Sequence, residues 1–217
     1  TEDNKVGRLI GFFPELGSYE TSIRNEEMLQ HLASEIDTNL INYQITGTTY
    51  LIDKSHELLS FNLLKGLFTA IVIIGVILGL YFKSWKLLFI SLIPNIIPLV
   101  LVAGILGWIG ISLKMTTSII FTIAFGIAVD DTIHMMSYYL KSKEIDPTNR
   151  MKKTFVHAGS ALLITSLIMS SGFALYLFSS FGATFYLGLF VSLSLLLALI
   201  VDLTILPLLL LKFKKNA

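Results

Sequence analysis

Phe125-Gly-Ile-Ala-Val-Asp-Asp-Thr-Ile-His134 sets two adjacent carboxylates and an imidazole inside an otherwise apolar run. The run, residues 116 to 140, is long enough to cross a hydrocarbon core of about 30 Å, which takes about 20 helical residues. A charged side chain at such a depth costs about 2.5 to 3.5 kcal/mol on insertion scales, so its presence implies use. Hydrocarbon disfavours the charged form of a carboxylate, and neighbouring like charges titrate in separate steps. The pair Asp130 and Asp131 therefore reads as a reversible proton acceptor. A buried hydrogen-bonded cluster that only fixes packing is the competing reading. Adjacent helix residues point about 100° apart, so the two acids need different partners. His134 shares a face with one or both, and Tyr138 lies one turn further on. Ser118, Thr122 and Gly126 extend the ridge the other way as a small, polar stripe suited to close helix packing or water entry.

Outward from this segment, the composition agrees with a bilayer setting. Of the 217 residues, 54% are hydrophobic and only 14% charged, with a mean hydropathy of +0.75, whereas soluble domains run near a quarter charged. A net charge of +1 gives no field for nucleic acid or a polyanion. The absence of cysteine excludes disulfides and thiolate metal sites. Apolar runs place spans at 61–82, 87–108, 116–140, 159–179 and 184–211. Each must be a helix, because lipid leaves open backbone groups without partners. Ten basic residues fall in the connection after the first span (Lys83, Lys86), in the connection after the third (Lys141, Lys143, Arg150, Lys152, Lys153) and beyond the fifth (Lys212, Lys214, Lys215). Lys114 alone falls in the others. This asymmetry predicts a cytoplasmic lysine-rich side and C-terminus, with the N-terminal region outside the cytoplasm. Asp146 and Pro147 are a helix-start signal, predicting a short surface helix with Met151 and Phe155 on one side, set against a plain charged linker.

Residues 1 to 57 hold ten of the fifteen acidic groups and read as a separate polar domain, with the membrane domain at 58–217. A strand is predicted over 6–13, a helix over 19–40, and a second strand over 41–45, where Ile41, Tyr43 and Ile45 alternate with polar residues. The fold class expected is thus a membrane all-α bundle of five transmembrane helices with a small N-terminal α+β domain. That β-α-β unit is too small to hold much core, and the chain begins without methionine, so further residues and a further span are expected upstream.

Pro94, Asn95 and Pro98 interrupt the backbone ladder of the second span and predict a kink, serving either motion or shape. Trp85 and Trp108 near its ends read as interfacial anchors. In the fourth span Ser160, Thr165, Ser166, Ser170 and Ser171 offer hydroxyls to a neighbouring acid, although each taken singly reads more readily as bonded back to its own helix. Ser166 and Ser170 join His134 as candidate relay partners. Asp202, a third intramembrane acid, is either another relay member or a water-exposed or paired structural acid.

The ordered set of motifs resembles the resistance-nodulation-division superfamily, and most nearly its MMPL-type exporters. The likeness rests on Gly126-x-x-x-Asp-Asp-x-x-His134, Pro94-Asn-Ile-Ile-Pro98 after a two-lysine turn, Leu163-Ile-Thr-Ser166 with Gly172-Phe173, and Asp202-Leu-Thr-Ile-Leu-Pro207. It implies a transporter of two similar halves, each with one span, an outer porter domain of ferredoxin-like elements, and five further spans. This chain would be the end of a porter domain and the last five spans of one half. Its basic ending would suit the second half, or equally a linker to a following half. In the family the acids matching Asp130 and Asp131 couple proton flow to export of lipids or other amphiphiles. The resemblance implies no cofactor, metal or nucleic acid. The implied partners are membrane lipids, a hydrophobic or amphiphilic substrate, the other half, and further copies of the chain or a periplasmic protein. A sterol- or lipid-sensing module and a protein-translocation auxiliary of the same superfamily are alternatives. An enzyme, with Asp130 and Asp202 as a protease dyad or Asp-Asp-x-x-His as a metal site, lacks its fuller signatures.

Overall fold

The structure is a computed structural model describing residues 7–11, 18–37, 41–111, 115–143 and 146–215. The chain divides into two units, Thr1–Leu58 and Leu59–Ala217.

In the first unit, α1 (Ser18–Glu35) has the predicted amphipathic helix but stops short of residue 40. The α+β expectation is corrected here: among the described residues there is no strand. Residues 41–46 form no ladder and lead through Gly47, at φ 135°, straight into a helix. Of the strand predicted over 6–13, only 7–11 lie within the described residues, and these are not a strand either. The physical reason is visible in the burial. Ile41 is 56% and Leu9 99% exposed, and no residue of this unit whose side chain is described is buried. A period-two pattern becomes a strand only when a neighbouring edge takes its hydrogen bonds and a face is covered, and neither occurs among these residues.

Among the described residues, five helices long and apolar enough to cross a membrane follow, as predicted in number. They are α2 (Thr48–Phe82), α3 (Trp85–Ile109), α4 (Met115–Lys141), a rod over Pro147–Phe178, and α7 (Gly182–Lys215). The rod comprises α5 (Pro147–Thr154), a π-helical turn (Phe155–Gly159), α6 (Ser160–Ala174) and a 3-10 turn (Leu175–Phe178). The predicted surface helix is therefore the lead-in to the fourth span. Its start signal is real: Asp146 Oδ2 accepts from the Asn149 backbone N–H at 3.0 Å, with Pro147 in the first turn. Nothing between there and Phe155 stops a helix, and the π turn absorbs the change of register. Asp146→Ala removes this cap and is expected to lower stability by about 1 kcal/mol, measured by thermal unfolding in detergent.

α2 ends at Lys83, whose φ of 52° lies in the left-handed region usually given to glycine. For a side chain with a Cβ that conformation costs about 1 kcal/mol. α3 carries Trp85 and Trp108 well exposed at its two ends, about 35 Å apart at 1.5 Å per residue, the spacing of two interfacial belts. Helical structure continues through Pro94 and Pro98, both buried.

α7 is the central element, packed against α3, α4 and α6. The interior has two apolar clusters. One joins Leu99, Val102 and Leu106 of α3 to Ile120, Phe121, Phe125 and Val129 of α4 and Phe190, Val191 and Leu195 of α7. The other joins Leu87 and Ile90 to Met135, Met136 and Tyr139, to Met151 and Leu162, and to Leu199, Leu206 and Leu210. Each of the three helices also carries a buried polar residue that meets the others: Asn95, Thr132 and Asp202.

Candidate functional site

Asn95 lies ten residues inside Trp85, Asp131 ten inside Lys141, and Asp202 ten inside Lys212, so the polar layer sits at one depth, about 15 Å from the lysine-rich end. Asp202 is 1% exposed, and its Oδ1 accepts from Thr132 Oγ1 at 2.8 Å. Asn95 Oδ1 stands 3.3 Å from the same hydroxyl, as does the Ala128 carbonyl. A hydroxyl has one proton to give, and the Asp202 contact is the shortest of the three. A hydroxyl also accepts, so Thr132 can serve Asp202 in either protonation state: donating to the carboxylate, or accepting from the acid while donating to Asn95. Asn95 is held in turn by Nδ2 donating to the Ser91 carbonyl at 2.6 Å. A buried acid with such a partner and apolar packing on both sides is shielded from water, where an unpaired charge would be expensive.

The neighbouring acids divide as their 100° separation requires. The buried face of α4 runs through Ser118, Phe121, Phe125, Val129, Thr132 and Met136. Asp131 is at its edge, half-buried, and its Oδ2 accepts from Ser166 Oγ of α6 at 2.8 Å. Asp130 is on the other face with Thr122, Gly126 and His134, all exposed on this chain. Among the described residues neither Asp130 nor His134 has a hydrogen-bond partner, and a Cβ added at Gly126 would meet no atom within 4 Å. Ser118, at the head of the predicted stripe, is instead fully buried. Tyr138 stacks on His157 at 5.4 Å.

Of the fourth-span hydroxyls, Ser166 alone is bonded to a carboxylate. Ser170 donates to the Ser192 carbonyl of α7 at 3.1 Å, tying two helices together. Ser160, Thr165 and Ser171 bond back to their own helix. Thr132 and the side-chain role of Asn95 were not read from the sequence. Thr132 lay within the quoted motif, and its spacing from Val129 and Met136 put it on the apolar face. Asn95 between two prolines read as a break in the ladder. Among the described residues no three His, Asp or Glu side chains approach closely enough to hold a metal ion.

The chain is 27% identical over 143 residues to a membrane protein of Methanocaldococcus jannaschii, an alignment covering 64% of this chain and 37% of the relative. It thus spans little more than a third of that relative's length. The model of the AcrB/AcrD/AcrF family matches residues 2–216, nearly the whole chain. With five membrane-crossing helices around a buried acid, this multi-pass membrane chain belongs to the AcrB/AcrD/AcrF family of resistance-nodulation-division proteins.

Proposed function

We propose that the chain forms the last five spans of one half of a proton-driven, MMPL-type exporter of lipids or other amphiphilic compounds in the plasma or inner membrane. The observation that carries this reading is the pair of intramembrane carboxyls on different helices, Asp131 with Ser166 and Asp202 with Thr132, at one depth and amid apolar clusters. Acids placed so can bind and release protons while the clusters oppose a continuous water path. The exposed stripe of Thr122, Gly126, Asp130 and His134 supports the same reading. An acid facing hydrocarbon is costly, so the whole protein must cover it, and the other half of the transporter is the proposed cover. The lysine asymmetry supports a cytoplasmic C-terminus and an outer, porter-like domain to which residues 1–57 belong.

The test is export and proton uptake by the whole protein in vesicles, comparing Asp130→Asn and Asp131→Asn with wild type. Loss of both activities is expected in each variant. Unchanged transport in the two would remove the relay assignment, and retained lipid binding indifferent to a pH gradient would favour a sensor.

A further inference from the structure

At the lysine-rich end of the bundle, Tyr81, Phe82, Leu87, Ser137, Leu140 and Lys141 line an open groove of roughly 320 Å³. A water molecule's share of the liquid is about 30 Å³, so the groove seats a group of many atoms. Its walls are apolar and aromatic, with Phe82, Leu87 and Leu140 continuous with the lower core cluster. Its polar side chains are those of Tyr81, Ser137 and Lys141, and Lys141 is exposed at the last residue of α4. The turn leaving Phe82 brings Lys83, also exposed, into left-handed backbone where glycine is the usual occupant. One cation in the lining of a hydrophobic cleft, Lys141, and a second, Lys83, next in the chain to the lining residue Phe82, complement one ligand chemistry: an anionic head group attached to acyl chains. A soluble anion would leave the apolar walls bare, and a neutral lipid would leave the charges unanswered.

We propose that this groove binds an anionic phospholipid of the surrounding bilayer, with Lys83 and Lys141 on its phosphate and the chains along Phe82, Leu87 and Leu140. The site is distinct from the buried acids and holds whether or not they carry protons.

The whole protein in nanodiscs of phosphatidylcholine with a minor fraction of phosphatidylglycerol, stripped progressively in detergent and followed by native mass spectrometry, tests it. Phosphatidylglycerol is expected to stay longest. Lys141→Gln and Lys83→Gly should each lower its retention about fivefold, and more when combined. Lys83→Gly also separates binding from folding: glycine relieves the left-handed backbone, so the melting temperature should hold or rise while the lipid is lost. Equal retention of the two lipids, as when the lysines merely set orientation, would overturn the proposal. So would variants that keep phosphatidylglycerol, or its displacement by inorganic phosphate at matched ionic strength.

Discussion

Asp202→Asn is expected to reduce proton-coupled transport by the whole protein to background, a loss on the order of 100-fold, while the bundle stays folded. Asparagine has the shape of aspartate, and its side-chain carbonyl can accept from Thr132 Oγ1 as the carboxyl does at 2.8 Å. Contacts to the flanking apolar clusters are unchanged. What disappears is the capacity to take up and release a proton. A structural acid would therefore be replaced without functional consequence, and a relay acid would not. Two companion variants sharpen the distinction. Thr132→Ser keeps the hydroxyl and should retain most activity. Thr132→Val removes it from a residue that is fully buried, leaving Asp202 without its donor, and should approach the Asp202→Asn phenotype. Proton uptake and export in vesicles are the readouts, with elution profile and thermal unfolding to verify the fold. Wild-type transport by Asp202→Asn would confine Asp202 to packing and leave Asp131 to account for coupling.

How much of this was legible beforehand depends on whether a feature is set by the helix itself or by its neighbours. The five spans follow from apolar length alone. Their ends did not, because Asp53, Lys54, His56 and Glu57 broke the apolar pattern while nothing between Gly47 and Lys83 broke the helix, so α2 begins at Thr48 instead of residue 61. Pro147–Phe178 runs as one rod for the same reason. The strands failed because period-two alternation supplies only one side of a ladder. Within the site, the acids were conspicuous by their chemistry, and so was the divergence of Asp130 from Asp131. The choice of Ser166 over Ser170 was not, since the two lie four residues apart on one helix and differ only in what α4 and α7 present to them. Thr132 and Asn95 acquire their meaning from Asp202, respectively seventy and more than a hundred positions away in sequence.

Gly188→Ala should be the most damaging of the glycine-to-alanine changes in the membrane bundle. A Cβ there would lie 2.5 Å from Tyr176 Cβ and 2.7 Å from the Phe173 carbonyl oxygen. Backbone at that range cannot swing aside, so α7 would have to part from the 3-10 turn that ends the fourth span. Such overpacking costs typically about 1 to 3 kcal/mol, a fall in melting temperature of about 3 to 10 °C for a chain of this size. Gly79→Ala is the control for proximity alone: its nearest neighbour, at 2.9 Å, is the Leu88 Cδ1 methyl, which can rotate away. Gly126→Ala meets nothing within 4 Å and gains helix propensity, so the bundle should hold or improve. In the whole protein the bulkier Gly126→Leu carries a further consequence. If the Thr122, Gly126, Asp130 face is covered by another half, the introduced isobutyl group would wedge that interface and depress transport without lowering the melting temperature of this five-helix unit. A face open to lipid would accept leucine with no loss of transport, and Asp130 would then need a different cover.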